Sequence, residues 1–132
     1  MASIFTKIIN GEIPCYKIAE DDRFFAFLDI HPISKGHTLV IPKQETDYLF
    51  DLNPAMLGDL MQFAQKVARA LKQSIDCKRV GVTVMGLEVP HVHIHLIPMN
   101  SEADMNFRNP KQELTAEEFT AIQKKIKDVI GN

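Results

Sequence analysis

Cysteine is scarce in this chain, and its placement excludes more than its number does. The two thiols, Cys15 and Cys77, stand far apart with no Cys-x-x-Cys spacing. That argues against a disulfide framework and for reduced thiols in a cytosolic protein. An excess of one charge is also missing. A net charge of -2 with no basic run gives no electrostatic case for a nucleic-acid polymer or a membrane surface as partner. No apolar run approaches the length of a membrane span, and Met1-Ala2-Ser3 lacks the charged-then-apolar opening of a secretory leader. Internal repeats, low-complexity tracts, a Walker-type glycine loop and a carboxylate cluster for Mg²⁺ are absent as well. What is left is 132 residues, the size of one domain with its own hydrophobic core, whose partners are expected to be small molecules.

Periodicity predicts an α+β fold. Ser3 ahead of Ile4, Phe5, Ile8 and Ile9, with Gly11 behind, reads as a short capped helix. Tyr16 to Glu20 and Phe24 to Leu28 read as two strands joined at Asp21-Asp22, and Gly36-His37 leads into a further strand stopped at Pro42. Asn53-Pro54 opens the longest helix, with Leu57, Leu60, Met61, Ala64, Val67, Ala68, Leu71 and Ile75 on one stripe. Arg79 to Met85 is the next strand. After Pro98 the chain turns polar, until a capping box at Thr115 and Glu118 starts a terminal helix with Phe119, Ile122, Ile126 and Val129 on one face. That narrow face suits either its own subunit or a partner. The expectation is a mainly antiparallel sheet with a long helix packed on it and a C-terminal helix. One domain is expected over 1–132, with its core at about 3–100 and an arm and helix at about 101–132.

The chemistry gathers in Pro90-His91-Val92-His93-Ile94-His95-Leu96-Ile97-Pro98. Imidazole and aliphatic side chains alternate with the period of a strand, which puts three histidines on one face and Val92, Ile94 and Leu96 on the other. Three protonated rings so close would repel, so at least one is neutral at pH 7. A neutral ring can serve as nucleophile, general base or metal ligand, and the spacing alone leaves these open. Asp29, at the end of the second strand, reads either as a turn cap or as an acceptor for two ribose hydroxyls. His31 reads as a loop histidine.

The run from His91 to Ile97 resembles the signature of the histidine triad family of nucleotide-binding proteins and hydrolases. Ile4 to Pro14, Phe27 to Ile30 and Gly36 to Lys43 are similar to that family's opening blocks, in the same order. The resemblance implies a homodimer that hydrolyses or transfers a nucleoside monophosphate from a phosphoramidate or a phosphoanhydride such as a dinucleoside polyphosphate, or, as the alternative, a non-catalytic nucleotide-binding or signalling module. It implies a purine nucleotide as ligand and no cofactor. In the family's terms His93 is the nucleophile, His91 holds it, His95 binds the phosphate and assists the leaving group, and His37 buttresses the triad. Asp29 would take the ribose, while Phe5, Ile8, Phe27, Leu28 and Ile30 line the base pocket. Gly86 and Glu88 would fall near the phosphate. There the chain departs from many relatives: Leu87 replaces a glutamine, and Glu88 is expected to turn outward so as not to repel phosphate. Family members with a zinc site carry two cysteines where this chain has Ser3 and Thr6, which argues against metal.

Overall fold

The computed structural model describes residues 2–131. Its helices begin where a side chain satisfies an otherwise unpaired backbone N–H. Ser3 Oγ accepts from Thr6 N at 3.1 Å to start α1, Ile4–Ile9. Asn53 Oδ1 accepts from Met56 N at 2.8 Å, and Pro54 is the first residue of α2, Pro54–Ser74. Thr115 and Glu118 exchange two bonds of 3.1 Å at the head of α3, Ala116–Ile130. Each such cap stabilises its helix by about 1 kcal/mol.

The strands are β1 (Lys17–Glu20), β2 (Phe24–Leu28), β3 (Thr38–Pro42), β4 (Arg79–Thr83) and β5 (Ile94–Met99). They form one antiparallel sheet in the order β1-β2-β3-β5-β4. The β1–β2 turn is closed by Asp21, whose Oδ1 accepts from Arg23 N and Phe24 N.

Both faces of the sheet are covered, so β2 and β3 are buried along their whole length. Phe24, Ala26, Leu28, Val40, Ile94 and Leu96 point into the core shared with α2 and α3. Phe25, Phe27, Leu39 and Ile41 point the other way, onto Phe5 and Ile8 of α1. Either subunit or partner could have taken the α3 stripe, and its own subunit does. Phe119, Ile122 and Ile126 are buried in the helix-side core, where Phe119 stacks on Tyr16 at 4.9 Å, each such burial being worth about 1.5–3 kcal/mol.

Two strand boundaries differ from the sequence expectation by more than one residue. β4 ends at Thr83 rather than Met85, and β5 starts at Ile94 rather than Pro90. The β3–β5 ladder stops at Val40↔Ile94; before it, Val92 N donates to Thr46 O and His91 N to Val89 O, so this backbone is held by loops. The alternation of side chains nevertheless continues through His91, because Val92 sits in the same core as Ile94. Pro98 is tolerated inside β5 because its missing N–H lies on the β3 side, beyond the last β3 pair at Thr38↔Leu96. Its carbonyl, on that same side, accepts from Ser34 Oγ.

Candidate active site

The α1-facing side of the sheet carries a row of imidazoles between two phenylalanines. Phe5 lies 5.7 Å from the His91 ring and 4.9 Å from His93, centroid to centroid. His93 and His95 are 5.0 Å apart, His37 and His95 5.2 Å, and Phe107 closes the far end 4.9 Å from His95. His91 is fully buried, and His37, His93 and His95 nearly so. His37 reaches the row from a turn at Gly36, whose φ of +92° suits glycine and where a Cβ would press on Ile75 at 2.9 Å.

Hydrogen bonds decide which nitrogen carries the proton. The Pro42 carbonyl, 2.8 Å from His91 Nε2, can only accept, so Nε2 is protonated and Nδ1 takes a bond of 2.7 Å from Ser3 Oγ. The His91 carbonyl in turn accepts from Nδ1–H of His93 at 2.7 Å. In the neutral ring this leaves His93 Nε2 with a free lone pair. A second chain runs in the opposite sense. Ile33 N donates to His37 Nδ1 at 3.2 Å, so His37 carries its proton on Nε2 and donates it to His95 Nδ1 at 3.0 Å. His95 is then protonated on Nε2. Two neighbouring rings therefore present a bare nitrogen and an N–H donor, a pairing able to act as nucleophile or base and as proton donor.

His37, His91 and His95 are held neutral chiefly by burial. Desolvation pushes His95 down to about 3, helped by His37, His93 and Lys111, and pushes His37 down to about 4 against the attraction of Asp29. Burial lowers His91 too, opposed by its bond to Pro42 and by Glu45. Glu45 is held down at about 2 because its Oε1 accepts from Ser3 N and Thr6 Oγ1, each at 2.7 Å.

Asp29 makes the turn cap that its sequence position allowed. Oδ1 caps the following turn by accepting from His31 N at 2.8 Å, while Oδ2 lies 3.6 Å from His37 Nε2, outside hydrogen-bond range. Phe5, Ile8 and Phe27 form one apolar cluster beside His93, with Phe5 and Phe27 5.8 Å apart. Leu28 does not join them. Successive strand residues face opposite ways, and its side chain is buried in the helix-side core, which corrects its place in the base pocket. Ile30 is exposed in the loop after Asp29. Gly86 turns with φ +70°, and Leu87 and Glu88 behind it are exposed. His31 is exposed in its loop.

Sequence reasoning missed Glu45, Phe107 and Lys111. Glu45 stands in an irregular stretch with no periodicity to mark it. The one available signal was Phe107, a lone aromatic in an otherwise polar arm.

The HIT domain family matches residues 10–102. The chain belongs to the histidine triad family. It is 36% identical to an adenosine 5'-monophosphoramidase of Schizosaccharomyces pombe over 98% of this chain and 99% of that protein. The crystal structure of a HIT-like protein involved in cell-cycle regulation from Bartonella henselae matches with a TM-score of 0.82 at 32% identity, covering 96% of this chain and 95% of that one. A zinc-bound histidine triad family protein from Mycobacterium smegmatis matches with a TM-score of 0.81 at 27% identity, covering 98% and 94%. In this histidine triad protein Ser3 and Thr6 offer neutral hydroxyls, which make a poor zinc set. Asp29, His37 and His95 bring donor atoms within 4.8 Å of one another, but a hydrogen bond between the two rings already occupies a nitrogen of each.

Proposed function

We propose that this protein is a nucleoside monophosphate hydrolase or transferase that cleaves purine nucleotide phosphoramidates or phosphoanhydrides through a nucleotidyl-histidine intermediate. The observation that carries this reading is the opposed protonation of two adjacent rings, His93 with a bare Nε2 and His95 with Nε2–H. His93 Nε2 attacks the α-phosphorus, and the bond to the leaving atom breaks with its electron pair going to that atom. The bound phosphate anion, with Asp29 beside His37, raises the proton affinity of the His37–His95 pair. With substrate bound that pair takes up one proton from solvent, and it passes this proton to the leaving atom. Water then attacks phosphorus, releases the nucleoside monophosphate, frees His93 and returns a proton to His95. His91 holds the nucleophile through its carbonyl and is itself clamped by Ser3 and Pro42.

The nucleotide is placed with its base against Phe5, Ile8 and Phe27, its ribose at Asp29, and its phosphate between His93, His95 and the backbone near Gly86. The name of the Schizosaccharomyces pombe relative supports an adenosine phosphoramidate as first substrate to test. A homodimer in the cytosol completes the reading. The dimer, though not the location, is supported by β4 being an outer strand whose exposed Val82 shares a groove of about 400 Å³ with Met61, Gln65 and Ala68 of α2. Sedimentation gives the oligomeric state.

The test is acid-quenched trapping. Adenosine 5'-monophosphoramidate mixed with the parent protein should leave adenylate bound to His93, and His93→Ala should lose turnover while nucleotide binding stays within about threefold. Turnover by His93→Ala within about tenfold of the parent removes His93 as nucleophile.

A further inference from the structure

The segment after β5 carries a cation to the site that the triad chemistry does not use. A short 3-10 turn, Glu102–Met105, begins with a reciprocal Ser101–Asp104 cap. It docks on the sheet because β4 has Gly81 beneath it, where a Cβ would overlap Met105 Cε and Met99 Sδ. From there Asn109 Nδ2 donates to Ala103 O at 2.7 Å, Gln112 N donates to Pro32 O at 2.7 Å, and Leu114 packs on the helix-side core. The arm is thus pinned before and after Phe107 and Lys111. The Phe107 ring stands edge-on to His95 and lies 6.0 Å from His37. Lys111 Nζ donates to Phe107 O at 3.1 Å and sits 5.8 Å from the same ring.

Lys111 has no carboxylate within 4.0 Å among the described residues. Its field reaches His37 and His95, lowering the proton affinity of both. Lys111 is exposed, and an exposed cation tethered to Phe107 O with no carboxylate partner attracts anions. The row of rings has two unlike ends: the apolar floor of Phe5, Ile8 and Phe27 lies at the His91–His93 end, and Phe107 with Lys111 at the His95–His37 end, where the Asp29 carboxylate also stands 3.6 Å from His37 Nε2.

We propose that Lys111, held by the Phe107 arm, recognises negative charge on the departing group, so that this protein prefers substrates whose leaving group carries a carboxylate or phosphate. This rests on the reading above, in which His95 serves the leaving atom. An amino acid joined through its amine would present a carboxylate, and a second nucleotide or a polyphosphate would present phosphate. A simple amine or ammonia presents neither.

The experiment compares kcat/KM for three adenosine substrates: the unsubstituted phosphoramidate, a phosphoramidate of an amino acid with a free carboxylate, and a dinucleoside polyphosphate. Each is measured with the parent, Lys111→Met and Lys111→Arg. Lys111→Met should lose about tenfold or more on whichever anionic substrates the parent prefers, stay within about twofold on the unsubstituted phosphoramidate, and leave the preference weakly dependent on salt; Lys111→Arg should keep most of it. Loss confined to the carboxylate or to the polyphosphate says which anion is recognised. Equal loss on all three substrates, as expected if Lys111 held the α-phosphate itself, overturns the proposal, and so does no loss on any. Failure of the parent to turn over any of the three overturns the catalytic reading instead.

Discussion

Ser3 Oγ lies 2.7 Å from His91 Nδ1, joining the cap of the first helix to the first triad histidine across 88 positions of sequence. One hydroxyl thereby starts α1 and fixes the ring whose carbonyl orients His93. Ser3→Ala should remove the cap and strand a buried ring nitrogen, costing about 2–4 kcal/mol. Chemical denaturation reads the loss. If the clamp also positions His93 as the proposed nucleophile, kcat should fall with KM little changed under conditions where the variant is fully folded; an unchanged kcat would limit the bond to stability.

Glu45 holds the same corner from outside. Replacement by Gln keeps an acceptor for Ser3 N and Thr6 Oγ1 but removes the charge 4.0 Å from His91 Nδ1. With that attraction gone, His91 should titrate lower still than in the parent. The His91 ring signals in an NMR pH titration report this directly, and an upward move would contradict it.

Asp29 keeps one oxygen outside hydrogen-bond range of the protein groups around it. If that oxygen meets the ribose, Asp29→Asn should weaken ribonucleotides by about 1–3 kcal/mol and 2'-deoxynucleotides by visibly less. Calorimetric titration of AMP and dAMP makes the comparison, and equal losses would assign Asp29 to the turn alone.

The buried imidazoles tie stability to pH. His37 titrates near 4 and His95 near 3 when folded, against 6.5 for a free ring. Between those values the unfolded chain binds protons that the folded one refuses, so stability is fully present above about pH 6.5 and falls as pH drops towards 4 and then 3. The slope is on the order of 1 kcal/mol per pH unit for each histidine. Thermal melts from pH 7.5 to 4 should show the decline, and the double variant His37→Gln/His95→Gln should flatten it.

Glu88 is exposed and forms no ion pair among the described residues. Its charge is therefore screened by solvent. The pH–rate profile of Glu88→Gln should overlay that of the parent; a shifted profile with tighter saturation by nucleotide would place the carboxylate at the phosphate.

Local pattern alone determined much of this protein. Ser3, Asn53-Pro54 and Thr115 with Glu118 mark helix starts because caps act within three residues, and Phe24 to Leu28 reads as a strand because β-propensity and turn residues are local too. The alternation from His91 to Leu96 gave the shared face of the histidines, since side-chain direction follows from extended backbone. Pairing is not local, so β5 begins only at Ile94, where β3 first pairs with it through Val40. The separation of Leu28 from Phe27 became visible once α2 and α1 covered opposite faces of one strand. Proton positions were not legible in the sequence. A neutral imidazole has two tautomers of similar energy, and the folded backbone chooses between them: the distant Pro42 carbonyl for His91, the nearby His91 carbonyl for His93, and Ile33 N–H acting through the sequence-distant His37 for His95.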